Sequence, residues 1–103
     1  MLLNPFQPGT DGTTTLAITA SAQTMNPSTS GKYSVYRFSN IGTQPIYWIA
    51  YAAGSSVTPA TTATGIPMLA GAVETFTLPV NPQVSVIAGS TGSTLSITPG
   101  EGI

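Results

Sequence analysis

Short stretches of alternating apolar and polar residues, separated by clusters of Gly, Pro, Asn and Ser, recur along the chain. A period of two is typical of β-strands, and no apolar spacing of a helix persists over three turns. The predicted strands cover residues 15–22, 33–39, 46–51, 73–78, 83–88 and 94–98, with a short edge segment at 66–69. The pattern predicts an all-β fold, a single small β-sandwich of the jelly-roll or immunoglobulin-like kind, with its strand order left open.

Residues 1–14 lack this alternation and are interrupted by Pro and Gly, so they are predicted to form an extended N-terminal arm. The sandwich domain is then predicted to occupy residues 15–103, a length that suits one domain. The arm carries Leu2, Leu3 and Phe6, and two interpretations stay open for it. It either packs loosely on its own domain or docks on a neighbouring subunit.

The segment 46–51 is apolar or aromatic at every position, so both faces of this strand are predicted to be covered. Trp48 is expected to face the core, whereas Tyr47, Ile49 and Tyr51 face a second layer of the same protein or a partner subunit. A sugar-binding platform is the weaker alternative, because no Asp, Asn, Gln or Arg lies among residues 46–53. The strand phases predict a core formed by Leu16, Ile18, Val35, Trp48, Phe76, Val86, Leu95 and Ile97.

Charged residues make up only 5% of the chain, and the net charge is −1. Copies of such a protein repel one another weakly, which favours self-association. Two cationic residues are too few for a typical DNA-binding surface, so no nucleic acid is expected as a partner. The longest apolar run, residues 46–53, is far shorter than the roughly 20 residues that span a bilayer, and the start of the chain does not resemble a signal peptide. We therefore expect no membrane partner.

The sequence offers little chemistry for catalysis or metal binding. It contains no His and no Cys, which excludes Ser-His-Asp and Cys-His arrangements and imidazole or thiolate metal ligands. We expect no enzymatic activity, no catalytic residues, no metal and no cofactor. Glu74 is interpreted as a strand-end carboxylate in water, or alternatively as an ion-pair partner of Arg37 or Lys32. Arg37 is also placed to stack on a neighbouring aromatic ring.

Turn and strand segments in the last 70 or so residues resemble a family of small head proteins of tailed bacteriophages, the capsid decoration or cement proteins. The segments that carry the resemblance are residues 37–43 (RFSNIGT), 46–48 (IYW), 61–64 (TTAT), 66–76 (IPMLAGAVETF) and 99–102 (PGEG). The resemblance implies a β-sandwich that sits on the capsid exterior of the virion, assembled in the host cytoplasm. It would bind several major capsid protein subunits and hold them together.

The expected partners are therefore the major capsid protein and further copies of the chain in a homo-oligomer. The interface residues predicted for these contacts are Leu2, Leu3, Phe6, Tyr47, Ile49 and Tyr51, since they lack an obvious apolar face within the domain. Two alternatives stay open. One is a tail-tip or receptor-binding module that recognises a host glycan or protein through the polar 53–65 segment, and the other is a free carbohydrate-binding module.

Overall fold

All regular structure in the described residues is β-structure. The computed structural model describes residues 6–28, 30–52, 54–79 and 81–101. The strands are β1 (Gln7–Pro8), β2 (Thr14–Ile18), β3 (Gln23–Met25), β4 (Val35–Gly42), β5 (Ile46–Tyr51), β6 (Ile66–Met68), β7 (Val73–Thr77), β8 (Gln83–Ala88) and β9 (Ser93–Glu101).

The strands form two antiparallel sheets that pack face to face. The first sheet has the order β2-β9-β4-β7, and β1 pairs with the end of β9 beside β2. The second sheet has the order β3-β8-β5-β6. The chain passes from one sheet to the other at nearly every connection, and this order is that of a jelly roll. The predicted all-β sandwich is confirmed, and the strand order selects the jelly-roll alternative.

The core lies between the sheets and is centred on three aromatic rings. Phe38 and Phe76 project from the first sheet and Trp48 from the second, with ring centroids 4.5 to 5.1 Å apart. Their mutual tilts include two edge-to-face contacts, which is a favoured geometry for aromatic pairs. Aliphatic side chains of both sheets surround these rings: Ile18, Met25, Ile46, Met68, Leu78, Val84, Val86, Leu95 and Ile97.

The predicted core is confirmed except at Val35. Leu16 and Phe76 are partly buried against the core, and the other predicted residues apart from Val35 are fully buried. Val35 pairs with Gly100 and shares a face with Arg37, so it lies on the outer face of the first sheet. Tyr36 and Phe38 take the inward positions. The prediction of a buried Val35 was wrong because its phase also contains Arg37, and burying that phase would remove a charge from water, whereas the alternate phase buries two aromatic rings.

The predicted strand 15–22 is two strands that belong to different sheets. The chain bends at Ala20–Ser21, between β2 and β3. The side-chain carbonyl of Gln23 accepts the Thr19 N–H, and the Thr19 carbonyl accepts the Ala88 N–H, so this corner joins the sheets. Its Ala-Ser alternation continues the apolar pattern of β2, which is why the sequence predicts one strand. The last strand is also longer than predicted, because it extends through Pro99 to Glu101.

Asn40 ties together the connections at one end of the sandwich. Its side chain is buried, and Nδ2 donates to the carbonyl oxygens of Gln44 at 2.9 Å and Met68 at 3.0 Å. Its backbone N–H donates to the Ala72 carbonyl, and its own carbonyl accepts the Gly71 N–H. Asn40 therefore fixes the turn between β4 and β5 relative to the turn between β6 and β7.

Candidate assembly surfaces

The outer face of the second sheet carries three of the predicted interface residues. Tyr47, Ile49 and Tyr51 are all half-buried there. The connection between β5 and β6 covers part of this face, because Ala60 is buried and its N–H donates to Ser85 Oγ at 2.9 Å. The Tyr51 hydroxyl donates to the Thr58 carbonyl at 2.7 Å. The connection thus supplies part of the second layer that the apolar strand β5 requires, while the three side chains keep an exposed fraction.

The described part of the predicted arm lies along β9 of its own domain. Gln7 and Pro8 pair with the end of β9, and the Gly9 N–H donates to the Pro99 carbonyl. The Phe6 ring lies over the Arg37 guanidinium, with Cζ 4.8 Å from the ring centroid. A side chain at Gly100 would meet this segment, since a Cβ there would contact the Phe6 ring at 2.7 Å. Leu2 and Leu3 lie outside the described residues.

Asp11 and its hydroxyl partners join the arm to the loop that precedes β4. One carboxylate oxygen of Asp11 accepts hydrogen bonds from Ser28 Oγ at 2.6 Å and Ser30 Oγ at 2.7 Å. These bonds, Ser28 foremost, stabilise the anion and lower the pKa of Asp11, and the charge of Lys32 acts in the same direction. The Thr10 hydroxyl forms a hydrogen bond with the Tyr33 hydroxyl, and the Thr10 N–H donates to the same oxygen. These two bonds lower the pKa of Tyr33. The segment is therefore anchored by several polar contacts.

The register separates Glu74 from Arg37. Phe38 is opposite Glu74, so the carboxylate takes the core-facing phase of the edge strand β7, where it is exposed. Arg37 is opposite Thr75 on the outer face of the same sheet. The proposed ion pair with Arg37 is therefore ruled out by the register, whereas the expected stacking of Arg37 on an aromatic ring is present, with Phe6 as the ring.

The outer face of the first sheet is lined by hydroxyl groups, and we call it the hydroxyl face. Hydroxyl pairs bridge neighbouring segments at 3.2 Å between Thr15 and Ser96 and at 2.8 Å between Thr13 and Thr98. The register places these strand residues on the hydroxyl face: Thr15, Ala17, Val35, Arg37, Ser39, Ile41, Val73, Thr75, Thr77, Thr94, Ser96 and Thr98. Arg37 is the one charged residue among them. The face is thus polar but almost uncharged.

One corner of the hydroxyl face exposes large apolar side chains. Ile41 and Val73 lie on this face and are 60% and 59% exposed, and Leu69, in the turn that leads into β7, is 70% exposed. We call these three residues the apolar corner. The turn that carries Leu69 is closed by the Ala72 N–H bonding the Leu69 carbonyl, with Gly71 at a positive φ of 81°. This corner was not predicted from the sequence. The available signal was Ile41, which shares the phase of Arg37 and so faces outward.

The described residues enclose no pocket, and no three of their Asp and Glu side chains lie close enough together to hold a metal ion. The described segments also lack a helix of the length and apolarity that a membrane span requires.

A comparison with known proteins finds a distant structural likeness. No family model matches the chain, and no curated protein matches it. A solved structure described as "Bacillus endospore appendages form a novel family of disulfide-linked pili" is similar, with a TM-score of 0.48 and 18% identity. The alignment covers 97% of this chain and 94% of that one. A likeness at this level does not transfer a function.

Proposed function

We propose that this chain is a non-enzymatic structural subunit of a larger particle, in the specific form of a decoration or cement protein on the exterior of a phage capsid. The observation that carries the proposal is the nearly uncharged hydroxyl face with its exposed apolar corner. The capsid assignment itself rests on the resemblance of segments 37–43, 46–48, 61–64, 66–76 and 99–102 to that family.

The few charges of the chain contribute little to such a contact. The Arg37 guanidinium is stacked on Phe6, and the Asp11 carboxylate is held by two serines. Exposed ion pairs contribute only about 0 to 1 kcal/mol each, whereas burial of apolar surface contributes roughly 25 cal/mol per Å². A standard interface of about 800 Å² per partner would therefore be held mainly by apolar and hydrogen-bonding contacts.

Many weak contacts suffice for a protein that binds a symmetric shell. Once one contact to the shell is made, the effective concentration for the next is high, so modest surfaces add up to stable attachment. A contact made by these 103 residues cannot be a disulfide, since they contain no cysteine. The self-association that we include in the proposal is accordingly noncovalent.

The test is binding of the purified chain to empty shells assembled from the major capsid protein of the same phage. We expect saturable binding with many copies per shell, retained in a wash of 1 M NaCl. Exposed charge pairs would be screened under those conditions, because the Debye length falls to about 3 Å. Ile41→Ser together with Val73→Ser should weaken binding, whereas Thr24→Ser, at an exposed position on β3 at the edge of the second sheet opposite β6, serves as the control. Release of most copies by salt, or binding of only a few copies per particle, would contradict the proposal.

The tail-tip alternative receives less support from the described residues. It depends on a loop at residues 53–65 that is free to recognise a host molecule. Ala60 is instead only 1% exposed, and its backbone bonds Ser85. A tail location would also appear as a low copy number in the same binding experiment.

A further inference from the structure

The direction of the backbone hydrogen bonds can be followed across the first sheet. In an antiparallel strand, the N–H and C=O of one residue point to the same side, and successive residues alternate. The Asn40 N–H donates to the Ala72 carbonyl, and the Ser34 carbonyl accepts the Leu78 N–H. The backbone N–H and C=O groups of the even-numbered residues of β4 therefore point toward β7. The Pro99 carbonyl accepts the Gly9 N–H, so the backbone groups of the odd-numbered residues of β9 point toward β1 and β2.

This alternation defines what β2 presents at its open edge. Leu16 is opposite Leu95, and the register places Thr14 and Ile18 opposite two further odd-numbered residues of β9. The backbone groups of these three residues therefore bond β9, and those of Thr15 and Ala17 point away from it. Both residues are exposed, and β2 pairs with no other described strand. An unpaired row of N–H and C=O groups is a template for another strand.

Two of the other open edges are blocked by features that β2 lacks. The same alternation in the second sheet, fixed by the bond from the Ala88 N–H to the Thr19 carbonyl, leaves only Thr24 of β3 facing outward. At β6 the outward residue is Pro67, which has no N–H to donate. Very short edge strands and edge prolines are both devices that prevent strand addition.

The edge of β7 is longer, but it carries a charge that opposes pairing. The backbone N–H and C=O groups of Val73, Thr75 and Thr77 point away from β4 along this edge. The side chain of Glu74, between them, is on the core-facing side of the sheet. A strand added beside β7 would cover the Glu74 carboxylate and remove it from water, which is costly for an unpaired charge. Inward-pointing charges on edge strands are a further device against strand addition. Among the described edges of β2, β3, β6 and β7, that of β2 is therefore the one without a block.

We propose that β2 pairs with β2 of a second copy of this chain, antiparallel and about a twofold axis at Leu16. Thr15 of one copy then faces Ala17 of the other, and each such pair exchanges two backbone hydrogen bonds. A twofold pairing is self-complementary, because each copy presents the same two residues two positions apart. β2 contains no charged residue, so two copies meet there without charge repulsion. The pairing joins the two first sheets into one continuous sheet and extends the hydroxyl face across both copies.

This inference deepens the proposed assembly function, and the first experiment tests it through the outward N–H of Ala17. Ala17→Pro removes that donor without touching the bonds between β2 and β9. Thr75→Pro makes the same change on the β7 edge and is the matched control. We expect sedimentation equilibrium to show a dimer for the native chain and for Thr75→Pro, and a dissociation constant at least tenfold higher for Ala17→Pro. Circular dichroism verifies that each variant is folded.

A second experiment avoids proline. The two Leu16 residues form a non-hydrogen-bonded pair with Cα atoms about 4.5 Å apart, which a disulfide can bridge. The two Ala17 residues lie diagonally, about 8 to 9 Å apart, beyond that range. Because the chain has no cysteine, Leu16→Cys should form a disulfide-linked dimer on oxidation, whereas Ala17→Cys should not.

A monomeric native chain at millimolar concentration, or a Leu16→Cys variant that stays uncrosslinked, would overturn the inference. A dissociation constant of Ala17→Pro equal to that of the native chain would also overturn the inference. If Thr75→Pro alone failed to dimerise, the contact would lie at β7. Shell binding is scored separately. Shell binding with no effect of Ala17→Pro on pairing refutes the β2 edge but leaves the assembly function standing. Pairing through β2 without shell binding would support the β2 edge and contradict the proposed binding to a capsid.

Discussion

Replacing the buried Asn40 tests whether its amide holds one end of the sandwich together. Asn40 is 1% exposed, and its Nδ2 donates to two carbonyl oxygens, those of Gln44 and Met68. Asn40→Ala removes both bonds, each of which contributes about 1 kcal/mol, and leaves a small cavity. We expect the free energy of unfolding to fall by about 2 to 3 kcal/mol, which for a domain of this size lowers Tm by about 10 to 20 °C.

Asn40→Asp keeps the shape of the side chain but removes both donors. At pH 7 the introduced carboxylate would face two carbonyl oxygens in a buried site, so we expect a loss of about 4 kcal/mol or more. Burial raises the pKa of such a carboxyl in the folded state above its unfolded value near 3.9. The unfolded chain then loses its proton first as the pH rises, so the penalty is smallest near pH 4 and grows toward pH 7.

The assay is urea unfolding at pH 4 to 7, followed by the fluorescence of Trp48, which is the one tryptophan of the chain and is buried. Asn26→Asp adds the same charge at an exposed position and should change the free energy of unfolding by less than about 0.5 kcal/mol. Equal losses for Asn40→Ala and Asn40→Asp, without any dependence on pH, would show that Asn40 acts through packing alone and that the two amide bonds contribute nothing.

Three further variants address the arm and the covering loop. Gly100→Ala should displace the segment along β9, because the new methyl group would collide with the backbone carbonyl oxygen of Gln7 and meet the Phe6 ring at 2.7 Å. Amide exchange of Gly9 should then accelerate while that of the central β9 residues stays slow. Because the pKa of Asp11 is lowered in the folded state, the ionised carboxylate stabilises the fold at pH values above 3.8, and this stabilisation is lost as the pH falls through the folded-state pKa. Ser28→Ala should raise the pKa of Asp11 in an NMR titration. Ala60→Glu should release the loop over the second sheet and speed its proteolysis, and unchanged cleavage would refute the covering contact.

Sequence patterns define strands well where an apolar block ends at strong turn residues. The predicted bounds of 46–51 and 83–88 match β5 and β8, because turn residues flank both blocks. The corner between β2 and β3 was missed because small residues with an alternating pattern fit a strand and a bend equally well. The bend is fixed by the bond from the Ala88 N–H to the Thr19 carbonyl, and nothing local in the sequence indicates a contact that distant.

The same limit applies to the candidate surfaces. The apolar outer face of β5 could be predicted, but the sequence left open which layer would cover it. Part of the cover is the β5–β6 connection, which is held by Ala60 bonding Ser85, 25 positions away along the chain. The polar, low-complexity composition of that connection is typical of a free surface loop. Its small residues also allow close packing on a sheet, and composition does not distinguish the two outcomes.

The strand edges show how much a local signal depends on register. Pro67 is visible in the sequence as an edge residue, but its outward direction follows only from the pairing of β5 with β6. Glu74 alternates in phase with Phe76, and without the register its carboxylate could as well have paired with Arg37. Once the register assigns it to the core-facing side of an open edge, the charge acquires a role in keeping that edge free. The chain places one of its few charges there and none on β2, which is the difference between the two edges on which the proposed pairing through Thr15 and Ala17 depends.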